Sequence, residues 1–253
     1  MSEQNPFLAK EGVQGGGDSA AAGRGVDAGR SIEWLKQGWR LFTNNPGVWI
    51  AITVILLVIF IILSFIPVIG QLAANFLMPV FAAGVLGGCR SLHDGGELRI
   101  DHLFAGFKQN TGSLILLGVF YLVGMVAIMA VIFVIGGGAA FSGAMMGRGP
   151  GVGMAIGGFF LAMLVGVALM VPLAMAMFFA TPLVAFKGAA PLDAMKASFA
   201  ACLRNILPLI VYGVIVFVAS IVAMIPFGLG LLVLVPVLIG SMYTSYVEIF
   251  EQA

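Results

Sequence analysis

Five side chains of metal-ligand type crowd one short stretch of this chain: His93, Asp94, Glu97, Asp101 and His102. Imidazoles and carboxylates together could hold a divalent cation or activate a water. Zinc sites draw on Cys and His at short, regular separations, and calcium loops alternate oxygen ligands around a glycine. The spacing here fits neither pattern. Asp94-Gly95-Gly96 reads as a turn, and Asp101 belongs to a recurring pattern described below, so a structural role is expected and no metal. Nine of the fourteen methionines lie between Met125 and Met177, including Met145-Met146 and Met175-Ala176-Met177. Thioethers bind Cu(I), yet no Cys or His accompanies them there. Adaptable filler among packed helices is the expectation.

Other chemistry is missing from the pattern. There is no glycine-rich phosphate loop and no nucleophile beside a base. Ion-coupled transporters and pumps place Asp, Glu, Lys or His inside the membrane, and the apolar stretches here hold none. Intramembrane proteolysis by paired aspartates or zinc lacks its residues for the same reason. The expectation is therefore a protein that is not an enzyme, with no catalytic, metal or cofactor residue and no cofactor. Cys89 and Cys202 are too few for a disulfide framework and are expected as reduced thiols. Gly84-Val85-Leu86-Gly87-Gly88 and Gly153-Met154-Ala155-Ile156-Gly157 carry small-residue spacing that lets helices approach closely, read as packing within the chain. Asn75, Thr181, Ser220, Thr244 and Ser245 are the polar residues that could line a groove.

The elements that must carry these residues follow from composition. Of 253 residues 61% are hydrophobic and 9% charged, and the mean hydropathy is +1.11. A soluble domain carries roughly 25% charged residues, so the bilayer must be the solvent for most of this chain. A net charge of +1 offers nothing to nucleic acid. Residues 1–30 are polar and rich in Gly and Ala, lack the apolar core of a signal peptide, and read as a disordered cytoplasmic tail ahead of a membrane domain over 31–250.

No Asp, Glu, Lys, Arg or His occurs in 41–89, 109–147, 149–186 or 205–247. A helix needs about 20 apolar residues to cross the hydrocarbon core. The first and last stretches are long enough for two helices each, and each carries a breaker: Pro67-Val68-Ile69-Gly70 and Pro226-Phe227-Gly228-Leu229-Gly230. The two middle stretches flank Arg148, with the Gly-rich segment Gly136 to Gly153 as their connection. Six spans are predicted, at 47–66, 71–89, 113–136, 155–180, 206–225 and 229–247. The second contains Asn75 and Pro79 and is short enough to be re-entrant instead. All twelve Lys and Arg residues except Arg148 lie in the tail and the segment just after it up to Arg40, in 90–108 or in 187–204. The positive-inside rule then puts the tail, both charged loops and the C-terminus in the cytoplasm.

The chain also repeats itself. Ile32-Glu33-Trp34-Leu35-Lys36-Gln37-Gly38-Trp39-Arg40 is echoed by Ile100-Asp101-His102-Leu103-Phe104-Ala105-Gly106-Phe107-Lys108 and by Leu192-Asp193-Ala194-Met195-Lys196-Ala197-Ser198-Phe199. Each reads as a short amphipathic helix at the cytoplasmic interface, with Ser31 as an N-cap for the first and Pro191 in the first turn of the third. Ile32, Trp34, Leu35, Trp39, Leu103, Phe107, Met195 and Phe199 are the expected interfacial anchors. Pro79, Pro172 and Pro236 sit in register in the even-numbered spans and predict shared helix kinks. Such kinks free backbone carbonyls that other helices or water must satisfy. The fold expected is all-α: a polytopic membrane protein with about six transmembrane helices in three repeated two-span units, approximately 31–90, 99–186 and 191–250. Each unit is preceded by a cytoplasmic interfacial amphipathic helix.

This unit, with its Leu-x-x-Gly-Phe/Trp helix, Ile-Pro hairpin and proline-bearing return span, resembles the YciC-type bacterial inner-membrane proteins. It is also similar to the membrane domain appended to some glycerophosphodiester phosphodiesterases. The resemblance covers roughly residues 31–250, implies a multi-pass protein of the bacterial inner membrane, and brings no catalytic residue. Two functions fit the chain. One is a non-enzymatic component that binds lipid, or a protein partner through the cytoplasmic face, in envelope organisation. The other is a transporter or channel component for an uncharged or apolar solute. Oligomeric state is not legible from these residues.

Overall fold

In the computed structural model, residues 23–145 and 151–252 are described. They form nine α-helices: α1 (Arg30–Asn44), α2 (Pro46–Ser64), α3 (Ile69–His93), α4 (Thr111–Met145), α5 (Gly151–Phe178), α6 (Ala180–Lys187), α7 (Pro191–Arg204), α8 (Ile206–Met224) and α9 (Leu231–Tyr246). A 3-10 segment, Ile100–Phe107, precedes α4, and a π turn, Val247–Glu251, ends α9. There is no strand among the described residues. Six stretches are long and apolar enough to cross a membrane: Pro46–Ser64, Ile69–His93, Thr111–Gly138, Ile156–Lys187, Ile206–Met224 and Leu231–Glu251. The second runs unbroken for 25 residues, about 37 Å at 1.5 Å per residue, which is span length and not the short re-entrant form.

Two expectations about local structure are corrected. The segment from Gly136 is not a loop: α4 continues to Met145 and α5 begins at Gly151. The two helices run against each other over much of their length, and paired small residues allow that (an added Cβ at Gly136 would sit 3.6 Å from Ala162 Cβ). Ser31 does not cap α1, whose N-cap is Gly29 without a side-chain bond. Ser31 is buried, and its hydroxyl donates to Pro208 O at 2.6 Å and Ala28 O at 2.9 Å. A hydroxyl pressed against the Ala28 and Pro208 carbonyls donates to them and does not cap the helix amides.

Among the described residues, the charged ones gather at one end of the bundle and the tight turns at the other. More than half of α3 and α9 is buried, against less than a fifth of each other span, so these two form the interior and the rest face outward. Burial concentrates at the charged end, where Trp34, Leu86, Cys89, Leu103, Phe179, Val184, Tyr243, Tyr246 and Ile249 are enclosed. At the turn end Phe65 and Phe227 are fully outward, as residues facing acyl chains can be.

Three short helices brace the charged end. α1 packs on α9, the 3-10 segment on α3, and α7 on α5. At Gly38 a Cβ would strike Val237 O and at Gly106 it would strike Val80 O, so glycine lets backbone meet backbone. The 3-10 form of the second helix has the same cause: residues three apart eclipse in such a turn, which aligns buried Leu103 and Gly106 over α3. At α7 the small residue is Ser198. Its hydroxyl accepts from Phe179 N at 2.9 Å and donates to Met175 O at 2.6 Å. Those two groups are an i→i−4 helix pair, so the serine has inserted into the ladder and separates α5 from α6.

Residues 1–22 of the expected tail lie outside the described residues. The rest of it, from Gly23, is held against the C-terminal end: Arg24 N donates to Ile249 O, and buried Asn205 takes Val26 N–H at 2.8 Å and donates to Arg24 O at 2.9 Å.

Candidate functional site

A cavity of 530 Å³ lies within the spans, lined by Phe60 of α2, six residues of α3, Gly118 and Tyr121 of α4, Ala174, Met177 and Phe178 of α5, Thr181 of α6 and Met242 of α9. The α3 contribution, Gln71, Ala74, Asn75, Met78, Pro79 and Ala82, recurs at three and four residues, one face of a helix. The cavity reaches the surface of the bundle, because Gln71, Met78 and Ala174 are exposed while lining it. That surface belongs to two of the membrane-spanning stretches.

Pro79 shapes the cavity. Proline lacks the N–H that would bond Asn75 O, four residues back. α4 covers that carbonyl closely: an added Cβ at Gly118 would stand 2.5 Å from Asn75 O and 2.9 Å from Phe76 Cα. The Asn75 amide turns back along the helix and donates to Gln71 O at 2.8 Å. The polar groups on the wall are thus two carboxamides, Gln71 and Asn75, and two hydroxyls, Tyr121 and Thr181. No Asp, Glu, Lys, Arg or His lines it. Such a wall accepts an apolar chain and offers hydrogen bonds to an ester or hydroxyl; it offers nothing to hold an ion.

Of the polar residues singled out in the sequence, Asn75 and Thr181 line the cavity. Ser220, Thr244 and Ser245 do not: each hydroxyl bonds a carbonyl three or four residues back in its own helix, and Thr244 also reaches Trp34 O. Gln71 and Tyr121 are the polar lining residues that sequence reasoning missed. Gln71 stands four residues before Asn75, a same-face spacing that could have revealed it. Tyr121 is a mid-span hydroxyl far from either boundary.

Among the expected anchors, Ile32, Trp39 and Phe107 are exposed, Leu35, Met195 and Phe199 half-buried, and Trp34 and Leu103 fully buried. α3, α5 and α9 continue as helices through Pro79, Pro172 and Pro236. Pro79 and Pro236 are buried, and Pro172 is exposed. Trp34 and Glu248 form a polar centre with no sequence signal, being far apart in the chain. The Glu248 carboxylate, 7% exposed, accepts from Trp34 Nε1 and from Arg30 Nε, both at 2.7 Å, with Arg24 at 3.6 Å. The hydrogen bond to Glu248 raises the Arg30 pKa above its ordinary value.

The His/Asp/Glu stretch is divided by the fold. His93 lies edge-on to Tyr243, while Asp94, Asp101 and His102 line a separate polar pocket of 560 Å³ at the charged end. No group of three potential His, Cys, Asp or Glu ligands occurs among the described residues. Met125, Met129, Met163 and Met170 line a groove between α4 and α5 whose other residues are aliphatic, Gly or Phe. Met145, Met146 and Met154 fall outside the residues whose side chains are described.

Residues 31–251 match the domain of unknown function DUF7847. A protein of Burkholderia thailandensis named as a probable inner membrane protein is 32% identical over 200 residues, covering 76% of this chain and 74% of the relative. No solved structure matches the chain.

Proposed function

We propose a lipid-holding role for this chain, which belongs to the DUF7847 family of domains of unknown function. In this reading it is a non-enzymatic, multi-pass protein of the inner membrane that seats a lipid chain in the cavity beside Pro79. The observation that carries the proposal is that cavity: apolar, uncharged, open on a face that the spans turn to the bilayer. A lining of this size offers dispersion contacts along its whole length, and an acyl or isoprenoid chain from the surrounding bilayer can take them. The carboxamides and hydroxyls then meet the polar ester or hydroxyl of that molecule.

The threefold repeat belongs to the same reading. Its support is the register of Gly38 on Val237 and Gly106 on Val80, each the residue after a span proline, with Ser198 on Met175 in the third place. Each short helix braces the return span of the preceding unit, so the ring of units closes with α1 on α9. The lysine and arginine count supports a cytoplasmic charged end, with residues 1–30 ahead of one membrane domain. The likeness to YciC-type proteins agrees with this arrangement and adds no catalytic residue.

Native mass spectrometry of protein released gently from its own membrane tests the reading. The expected result is discrete added mass from one lipid class, lost in Ala174→Phe, a larger side chain at an exposed lining position of α5. A bare parent chain, or equal lipid retention in Ala174→Phe and parent, overturns it. Flux of an uncharged solute in proteoliposomes, reduced by Pro79→Ala, would replace holding with transport.

A further inference from the structure

The polar pocket at the charged end is a second site. It lies between the last turns of α3, which contribute Arg90, Ser91 and Asp94, and the 3-10 segment with the residues after it, which contribute Asp101, His102 and Lys108. We propose that it binds the zwitterion of a phosphoethanolamine group, phosphate toward Lys108 and Arg90 and ammonium toward Asp94 and Asp101.

Three observations support this. The first is charge: two cations and two carboxylates line one space of 560 Å³. A simple anion would be repelled by the aspartates and a simple cation by Lys108 and Arg90, so a ligand carrying both signs suits the pocket better than either. Arg90 is fixed in place, its guanidinium 2.9 Å from Glu251 and 4.7 Å from the centre of the Phe186 ring. Asp101 has Arg99 at 3.3 Å, with both side chains well exposed, a pairing that water weakens and a ligand can displace.

The second is that the pocket is built. The turn at Asp94-Gly95-Gly96 folds back on α3: Gly96 N donates to Ser91 O at 2.8 Å, and Ser91 Oγ donates to Glu97 O at 3.1 Å. Arg99 N donates to His102 Nδ1 at 3.0 Å, which holds the ring against the start of the 3-10 segment.

The third is depth. The same 3-10 segment turns Ile100, Phe104 and Phe107 outward, each 41–45% exposed. Apolar side chains beside charged ones on one short element sit where acyl chains give way to headgroups. The pocket mouth is therefore at headgroup level.

This inference rests on the lipid-holding reading and can fail without it. The test offers detergent-purified protein equal amounts of phosphatidylethanolamine and phosphatidylglycerol and reads the bound ratio by native mass spectrometry. The parent is expected to favour phosphatidylethanolamine. Asp94→Asn with Asp101→Asn, both exposed positions, should move the ratio toward phosphatidylglycerol by roughly tenfold, the equivalent of about 1.4 kcal/mol. Lys108→Ala should lower occupancy by both lipids. Displacement by water-soluble glycerophosphoethanolamine would identify a soluble zwitterion as the ligand; failure to displace would identify the membrane lipid, and the zwitterion class stands either way. A parent without preference, or a ratio unchanged in the double variant, overturns the inference. Lipid bound without headgroup preference but still lost in Ala174→Phe leaves the cavity reading intact.

Discussion

Replacing Glu248 should loosen the whole charged end. The carboxylate is 7% exposed and holds three groups from the start of the chain: Trp34 Nε1 and Arg30 Nε at 2.7 Å and Arg24 at 3.6 Å. In Glu248→Ala the indole N–H of Trp34, itself 1% exposed, loses its acceptor, at about 1–3 kcal/mol for a buried orphaned donor. The arginines are 39% and 42% exposed and regain water, so their share is discounted to about 1 kcal/mol. The expected loss is about 3 kcal/mol, a drop of roughly 6–12 °C in the melting midpoint for a chain of this size. Scanning fluorimetry on detergent-purified protein measures it, with a shift of tryptophan emission as Trp34 loses its partner. Glu248→Gln retains an acceptor and should lose about half as much. A double-mutant cycle with Trp34→Phe should show a coupling of about 1–2 kcal/mol. A melting point of Glu248→Ala within 1–2 °C (about 0.5 kcal/mol) of the parent, or strict additivity in the cycle, would refute the reasoning.

Other perturbations test the remaining contacts. Ser198→Ala removes the acceptor of Phe179 N–H in a buried place, while Met175 O keeps Cys202 Sγ at 3.4 Å, and should cost about 1–3 kcal/mol; Ser198→Thr keeps the hydroxyl and should recover part of that in the same melt. Gly106→Val drives a side chain into Val80 O and should destabilise by about 1–3 kcal/mol or more, read as a lower midpoint and earlier proteolysis of the 94–110 region. Burial pushes the Cys202 thiol up to about 12, and Cys89 is fully enclosed. Native protein should therefore resist maleimide from pH 7 to 9, and unfolded protein should label at both. Because the folded Cys202 keeps a proton that the unfolded chain has lost, its contribution to stability is full below the ordinary thiol range and declines as pH rises toward about 12. Labelling of folded Cys202 at pH 7 would contradict its burial.

The spans were legible because their cause is local. A charge-free stretch near 20 residues is a property of composition, and the predicted 47–66, 206–225 and 229–247 lie within a few residues of the helices found. The short helices were legible for the same reason, from acid, aliphatic and small residues at helical spacing. The 136–153 connection was misjudged because glycine marks a loop in water but a close helix contact in lipid. Ser31 was misread because capping depends on which neighbour the hydroxyl meets. Of the cavity, Asn75, Pro79 and Thr181 could be picked out as polar or helix-breaking residues inside spans. Gln71 was within reach through its spacing to Asn75, but Tyr121, Gly118 and Met242 were not, since their meeting depends on which spans are neighbours.

The sequence by itself therefore determined the solvent of this protein, the number of apolar helices and the places where the short helices begin. Those follow from transfer free energies and helix periodicity, which act residue by residue. Tertiary structure alone decided that α3 and α9 form the interior, that Glu248 meets Trp34, that Ser198 opens the α5 ladder, and that Asp94 shares a pocket with Lys108 while His93 does not. These depend on contacts between residues far apart in the chain, and a bilayer that solvates every apolar face alike leaves such choices to backbone approach at small residues and to a few buried hydrogen bonds.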